Sequence, residues 1–264
     1  MTRIGDLVLE HAPPAGPPKP CPLLLIHGMN GGAWYLRSWL YAAAQVGWDA
    51  WAVNLRGHHG SRPVPALGRV SIFEYVEDVH DCVRHFREAV LIGHSMGGLV
   101  AQKVAEGGRV RAAVFAASAA PHGIRMVSWP LLLSLPRYAP ALLGNRPFTP
   151  TADDALRMLG NRLSPERQAW AFPHLVPDSG RAAREMALGR VTVDPAAIRC
   201  PTMVVGAEDD RITPASLQRK IADRYGSRYL EAAGHAHMLM LEDGWEQPFQ
   251  AVLDWLEEVT KPGG

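Results

Sequence analysis

A serine flanked by glycines at the end of an apolar run constrains the fold of this chain more than any other feature. Residues 89–92 are strand-forming, Gly93-His94-Ser95-Met96-Gly97 follows at once, and residues 99–106 are compatible with a helix. Between a predicted strand and a predicted helix, a G-x-S-x-G pattern indicates a sharp turn that carries the serine. So tight a turn strains the serine backbone and leaves no room for a Cβ two residues to either side. The Ser95 hydroxyl should therefore lie above the sheet edge at a helix N-terminus, where free N–H groups accept developing negative charge.

A second glycine-rich turn follows an apolar run nearer the start of the chain. Residues 22–26 predict a buried strand, and the sequence continues as His27-Gly28-Met29-Asn30-Gly31-Gly32. Glycines allow the backbone of such a loop to approach a bound group closely. We expect the Met29 N–H to act with the N–H of Met96, the residue after the serine, as the two donors of an oxyanion hole.

Strand and helix patterns alternate along most of the chain. In residues 71–87, Ser71 and Glu74 form a capping-box pattern at the start of an amphipathic helix. Alternation of this kind predicts an α/β fold with a mostly parallel sheet flanked by helices. The other predicted strands are 7–10 at an edge, 49–55, 110–116, 201–205 and 228–230, and the other predicted helices are 34–46, 215–225 and a closing helix to residue 259.

Composition narrows the class of protein. At 264 residues the chain is long enough for one large α/β domain and too short for two ordinary ones. Its 27 basic and 26 acidic residues nearly balance, so charge indicates no nucleic-acid partner and no anionic membrane. No leader pattern opens the sequence and no apolar run would span a bilayer, so we expect a cytoplasmic protein without stable membrane insertion.

Cysteine and histidine spacing predicts no metal site. The three cysteines, Cys21, Cys82 and Cys200, are far apart, which is typical of buried reduced thiols. The adjacent His58 and His59 lack a third ligand at a recognisable spacing.

The alternation stops between residues 121 and 189. This stretch is rich in Pro, Leu, Met and Trp, and its prolines exclude a membrane span. So long an insertion in a compact domain is usually functional. We therefore predict a core formed by residues 1–120 and 190–264, with residues 121–189 as a helical lid without strands. Its large apolar side chains are expected to pack over Ser95, and the pocket is assigned to Asn30, Trp34, Trp129 and Leu132.

Four motifs in chain order carry a resemblance to a known family. They are His27-Gly28, the Ser95 turn, Asp210-Arg211-Ile212-Thr213-Pro214, and the stretch from His235 to Glu242. With serine, acid and histidine in this order, the chain from about residue 22 to 256 resembles the α/β-hydrolase superfamily. The loop Arg56-Gly57-His58 is similar to that family's Arg-Gly-His loop, with His59 as an extra residue.

The resemblance implies a triad mechanism. Ser95 would attack an acyl carbonyl, a histidine would take its proton, a carboxylate would orient that histidine, and Met29 and Met96 would hold the oxyanion. This chemistry requires neither a metal nor an organic cofactor. A serine at position 95 also argues against relatives that form an ester on an aspartate.

Two assignments stay open between neighbours. Asp210 fits the family's Asp-x-Val/Ile-x-Pro spacing, whereas counting from Gly206 favours Asp209. Gly234-His235 matches the usual Gly-His, whereas His237 has the usual spacing to Glu242. We expect Asp210 and His237 to be the catalytic pair, with Asp209 and His235 as alternates.

The expected function is hydrolysis of a carboxylic ester of an apolar small molecule, as in an esterase, lipase or thioesterase. A hydroxynitrile lyase or a C–C bond lyase with the same triad is one alternative, and a non-catalytic ligand receptor is another. The expected partner is the substrate alone, for a monomer or a homodimer.

Overall fold

The computed structural model of this protein describes residues 1–126 and 128–261. Val127 and residues 262–264, which the predicted lid and core include, lie outside the described residues. The strands are β1 (Thr2–Ile4), β2 (Leu7–Ala12), β3 (Leu23–Ile26), β4 (Ala50–Asn54), β5 (Ala89–His94), β6 (Val110–Ala116), β7 (Pro147–Phe148), β8 (Asp178–Ser179), β9 (Thr202–Ala207) and β10 (Arg228–Ala232). The α-helices are α1 (Arg37–Gln45), α2 (Ile72–Phe86), α3 (Met96–Ala105), α4 (Trp129–Gly144), α5 (Ala152–Met158), α6 (Pro165–Ala171), α7 (Gly180–Ala187), α8 (Ala215–Tyr225) and α9 (Glu246–Thr260).

Eight strands form one sheet in the spatial order β1-β2-β4-β3-β5-β6-β9-β10. The pairings of β2 with β1 and with β4 are antiparallel, and every pairing from β4 to β10 is parallel. Helices cover both faces of the sheet, so the central strands are apolar on both sides. The predicted class, a mostly parallel sheet flanked by helices, is confirmed.

Two local predictions need correction. The strand predicted over residues 7–10 is not an edge strand, because β1 turns back at Gly5 (φ 56°) and pairs outside β2. The helix predicted over residues 34–46 begins with a 3-10 turn at Ala33–Leu36 and becomes α-helical only in α1. The capping box at the start of α2 is confirmed, since Glu74 Oε2 accepts the Ser71 N–H at 2.9 Å.

Residues 121–189, here called the helical insertion, contain α4 to α7. The sequence predicted no strand in this segment, but β7 and β8 form a short antiparallel pair. The expectation that its apolar side chains are buried is wrong for several of them: Trp129 is 71% exposed and Leu132 is 46% exposed. The reason is that most residues of α4 are apolar, whereas the helix packs mainly on α7 and α5, so part of its apolar surface stays exposed. Across residues 1–126 and 128–261, the structure has no helix both long and apolar enough to cross a membrane.

Candidate active site

Ser95 occupies the turn between β5 and α3 in a strained conformation. Its φ is 56° and its ψ is −119°, outside the regions that residues with a Cβ normally adopt. A Cβ on Gly93 would collide with the Gly97 carbonyl, and one on Gly97 would collide with the Ile26 carbonyl. The glycines around the serine are therefore required by the close passage of β5, α3 and β3.

A histidine and a carboxylate meet the serine hydroxyl. His237 Nε2 lies 3.0 Å from Ser95 Oγ, and His237 Nδ1 lies 2.8 Å from Asp210 Oδ2. A carboxylate accepts hydrogen bonds, so the proton on Nδ1 is donated to Asp210 and the lone pair of Nε2 faces the hydroxyl. The structure thus brings Ser95, His237 and Asp210 into one hydrogen-bonded chain.

Asp210 is held in place by its own turn. Its Oδ1 accepts the N–H groups of Ile212 (2.8 Å) and Thr213 (2.9 Å), and its Oδ2 accepts the Thr213 hydroxyl (2.7 Å). Burial works to raise the pKa of Asp210, but attraction to His237 and hydrogen bonds from His237 and Thr213 lower it below the ordinary value. The carboxylate therefore stays charged and fixed beside the imidazole.

The two alternates have other partners. The Asp209 carboxylate is paired with Arg162 of the helical insertion, whose Nε lies 2.7 Å from Oδ2. His235 Nδ1 lies 3.2 Å from Glu242 Oε2. In the described part of the chain, neither Asp209 nor His235 contacts Ser95 Oγ.

Glu242 explains the sequence spacing that favoured His237. Its buried carboxylate accepts the N–H of Ala236 at 2.7 Å and that of Met238 at 3.1 Å. Burial raises the pKa of Glu242, although these N–H donors and the nearby His235 act to lower it. Glu242 therefore fixes the backbone on both sides of His237.

The loop after β3 lies against the serine. A Cβ on Gly28 would be 2.8 Å from Ser95 Cβ. His27 Nε2 accepts the Leu55 N–H at 3.1 Å, so its proton is on Nδ1, which donates to the Gly28 carbonyl at 2.8 Å. Burial, followed by repulsion from His58, lowers the pKa of His27 to about 3, so this ring is neutral. The Gly28 carbonyl is therefore oriented by an uncharged histidine.

Two backbone N–H groups in the turns around Ser95 lack a protein acceptor among the described residues. The Gly28 N–H donates to the Tyr35 hydroxyl, and the Asn30 N–H donates to Asp178 Oδ2 at 2.9 Å. In residues 1–126 and 128–261, the intervening Met29 N–H has no protein acceptor. The Met96 N–H, first in α3, has no intrahelical acceptor. Both N–H groups that the sequence analysis expected in an oxyanion hole thus lack a protein acceptor in the described part of the chain.

The four predicted pocket residues occupy different surroundings. Asn30 Nδ2 donates to the carbonyls of Phe148 (2.9 Å) and Val176 (3.0 Å), so it ties the loop to the insertion. Trp34 is 6% exposed, and the centroid of its ring lies 5.2 Å from the ring centroids of Trp170 and His174. Trp129 and Leu132 are exposed on α4, as described above.

Sequence reasoning missed a buried chain through His94. His94 Nε2 lies 2.8 Å from the His237 carbonyl and must donate to it, so Nδ1 accepts the Tyr35 hydroxyl at 2.9 Å. Burial and repulsion from His237 lower the pKa of His94 to about 3. This chain joins the Gly28 loop, the serine turn and the His237 loop. The position of His94 inside the serine motif was the only available signal, because Tyr35 and His237 are far from it in sequence.

Comparison with known proteins agrees with this architecture. A curated relative, the putative carbamate hydrolase RutD of Variovorax paradoxus (strain S110), is 27% identical over 265 residues, covering 94% of this chain and 96% of the relative. A solved thermophilic esterase from Thermogutta terrifontis has a TM-score of 0.72 at 20% identity, covering 97% of this chain and 94% of that one. A soluble variant of monoglyceride lipase from Saccharomyces cerevisiae has a TM-score of 0.79 at 16% identity, and the match covers 96% of this chain and 92% of the lipase chain.

The similarity to these solved structures shows the fold, whereas a match to a family model shows the family. The model described as the alpha/beta hydrolase family matches residues 23–255. This range includes β3, the Ser95 turn, Asp210 and His237. The chain therefore belongs to the alpha/beta hydrolase family.

Proposed function

We propose that the protein is a serine hydrolase that cleaves carboxylic esters of apolar small molecules through an acyl-enzyme. The observation that carries this proposal is the chain from Asp210 Oδ2 to His237 Nδ1 (2.8 Å) and from His237 Nε2 to Ser95 Oγ (3.0 Å). Both distances allow proton transfer along ordinary hydrogen bonds.

In the first step, Ser95 Oγ attacks the ester carbonyl carbon while His237 Nε2 removes the hydroxyl proton. The negative charge moves to the carbonyl oxygen, which accepts the N–H groups of Met29 and Met96. Asp210 stabilises the imidazolium by its fixed negative charge and does not itself take the proton.

The intermediate then collapses. The bond to the alcohol oxygen breaks, His237 gives that oxygen its proton, and the acyl group remains on Ser95. Water deprotonated by His237 attacks the acyl carbon, and Ser95 Oγ leaves with the proton from His237. The products are an alcohol and a carboxylic acid, and no metal or organic cofactor is needed.

Apolar surfaces of the insertion support the proposed substrate class. We assign residues 121–189 as a lid over a core of residues 1–120 and 190–264. Trp34 packs with Trp170 where the core meets this lid. Trp129 and Leu132 expose further apolar area on α4. Apolar acyl or alcohol groups would gain about 25 cal/mol for each Å² that they bury on such surfaces.

Carbamate hydrolysis is a second candidate, favoured by the name of the Variovorax paradoxus relative. A carbamate carbonyl would be attacked by the same serine. Lyase chemistry remains the alternative from another reaction class, and receptor function would need no turnover.

A panel of substrates tests the proposal. Purified protein is given p-nitrophenyl acetate, butyrate and octanoate, an N-unsubstituted carbamate, and an aromatic cyanohydrin. We expect turnover of the esters, with release of acid and alcohol. Preferential carbamate turnover would replace the ester assignment, cyanide release would replace hydrolysis with lyase chemistry, and no turnover of any compound would favour a receptor.

A further inference from the structure

Asp178 is a fully buried carboxylate in the helical insertion, at the start of β8. Its Oδ1 accepts the Tyr75 hydroxyl and the Ser179 N–H, each at 2.6 Å. Its Oδ2 accepts the Asn30 N–H at 2.9 Å and lies 3.0 Å from His58 Nε2. A buried carboxylate is costly unless it is paired and hydrogen-bonded, and these four partners meet that requirement.

The partner of Asp178 is a protonated histidine from the core. His58 Nδ1 lies 2.9 Å from the Arg56 carbonyl and must donate to it, so a proton on Nε2 makes the ring an imidazolium facing the carboxylate. The Nε2–H is not aligned on the oxygen, so the attraction is ionic. Burial opposes both charges, yet their attraction raises the pKa of His58 and lowers that of Asp178 to about 2. The other titratable side chains facing this pair are His27, His59 and Tyr75.

The insertion holds Asn30 through its backbone N–H, its backbone carbonyl and its side-chain NH2 group. Its N–H binds Asp178, its carbonyl accepts the Val176 N–H at 3.0 Å, and its side-chain amide binds Phe148 and Val176. Its φ of 62° is left-handed, which asparagine tolerates better than most residues. The conformation of the loop at this residue is therefore set by the insertion.

These bonds fix the peptide units on both sides of Met29. The Met29 N–H shares a peptide plane with the Gly28 carbonyl, which His27 holds at 2.8 Å. The next plane carries the Asn30 N–H, which Asp178 holds at 2.9 Å. With both planes held, the direction of the Met29 N–H is determined.

We infer that Asp178 is a positioning residue that aims the Met29 N–H at the oxyanion, so that the helical insertion completes the catalytic machinery as well as covering it. The inference rests on the proposed function. It predicts that loosening Asp178 weakens stabilisation of the tetrahedral intermediate, with little effect on binding of the ground-state ester.

Asp154 provides a matched control. It is also a buried carboxylate of the insertion and also accepts a tyrosine hydroxyl, that of Tyr138, at 2.7 Å. Its other side-chain partners all lie within the insertion: Ser134, Arg137, Thr151 and Arg157. Asp154→Asn therefore disturbs the insertion without touching the loop that carries Met29.

The test compares Asp178→Asn and Asp154→Asn with wild type. For each protein, kcat and KM are measured with a p-nitrophenyl ester, and the initial burst of p-nitrophenol counts the reactive Ser95. The Ki of a trifluoromethyl ketone, which forms a tetrahedral adduct with the serine, is measured as well. We expect kcat of Asp178→Asn to fall about 10- to 100-fold, less than the loss for deleting an oxyanion donor outright. KM should change by less than about threefold, and Ki should rise in step with the loss of kcat/KM. Asp154→Asn should keep kcat within about twofold.

Wild-type kcat in Asp178→Asn, or equal losses in both variants, would show that Asp178 only fastens the insertion. If Asp178→Asn does not fold, Tyr75→Phe removes one of its donors more gently. A smaller fall in kcat with a parallel rise in Ki would support the inference, and unchanged values would overturn it. An inactive wild type with no burst would instead refute the proposed function.

Discussion

Two histidines, two residues apart on one loop, have different surroundings. His237 lies between Asp210 and Ser95, whereas His235 lies beside Glu242. Only the first lies within hydrogen-bond distance of Ser95 Oγ, as the proposed proton transfer requires. The same contrast separates Asp210, which faces His237, from Asp209, which faces Arg162.

His237→Ala should be nearly as damaging as loss of the serine, with kcat lower by on the order of a millionfold. Among residues 1–126 and 128–261, His237 is the one side chain hydrogen-bonded to Ser95 Oγ. His235→Ala is the matched control from the same loop and should leave measurable activity. Initial rates with a p-nitrophenyl ester measure both. The reversed pattern would assign the base to His235.

Asp210→Asn should lower kcat by on the order of ten-thousandfold, since an amide no longer fixes the imidazole tautomer. Asp209→Asn should behave as a change at a loop ion pair, with kcat within about twofold. Equal small losses in the two variants would mean that the orienting acid has been misplaced.

Sequence could narrow these residues but not choose among them. The spacing of Asp210 to Pro214 and of His237 to Glu242 reflects real backbone constraints, since Thr213 and Glu242 hold the two turns. The directions of His237, Asp210 and Asp209 depend on contacts with segments more than twenty residues away, which no local pattern contains. The roles of Tyr35 and Asp178 were missed for the same reason.

At the scale of single elements, α4 departs most from expectation. Its apolar composition predicted burial, but Trp129 and Leu132 lie on its exposed side. Composition alone does not indicate which side of an apolar helix finds a partner. The helices and strands of the core were better predicted, because α2 and α8 carry clear periodicity and caps.

Trp129→Ala should change substrate choice rather than chemistry. We expect the ratio of kcat/KM for p-nitrophenyl octanoate to that for acetate to fall, while acetate turnover stays within about twofold. Stability should change by no more than about 0.5 kcal/mol, because the side chain is exposed. Phe73→Ala, an exposed aromatic of α2 outside the insertion, is the control. An unchanged ratio would show that Trp129 has no part in substrate choice.

At the scale of the whole molecule, the buried pair of His58 and Asp178 joins the core to the insertion. Burial opposes the charge on His58, but Asp178 raises its pKa, and that of Asp178 is lowered to about 2. The stabilisation that comes from a raised imidazole pKa is complete below about pH 6.5. It is lost as the pH rises through the pKa that the imidazole has in the folded protein. The stabilisation of the fold that comes from a lowered carboxyl pKa is complete above about pH 4. It is lost as the pH falls toward 2. The pair therefore contributes most between these limits.

His58→Gln should lower the free energy of unfolding by about 3–5 kcal/mol at pH 6, because it leaves a buried carboxylate without its counter-charge. The difference from wild type should shrink as the pH rises above about 6.5. Urea unfolding between pH 5 and 10 measures it, with the exposed His85→Gln as control. A difference that does not vary with pH would show that His58 is neutral in the folded protein.

In the proposed reaction, Ser95 carries the acyl group. The most direct measurement is intact-mass and peptide analysis of protein quenched during turnover of a p-nitrophenyl ester, on wild type and on Ser95→Ala. We expect one acyl adduct on the peptide containing Ser95, none in Ser95→Ala, and kcat lower in that variant by on the order of a millionfold. An adduct on another residue, or turnover that survives Ser95→Ala, would contradict the proposed reaction.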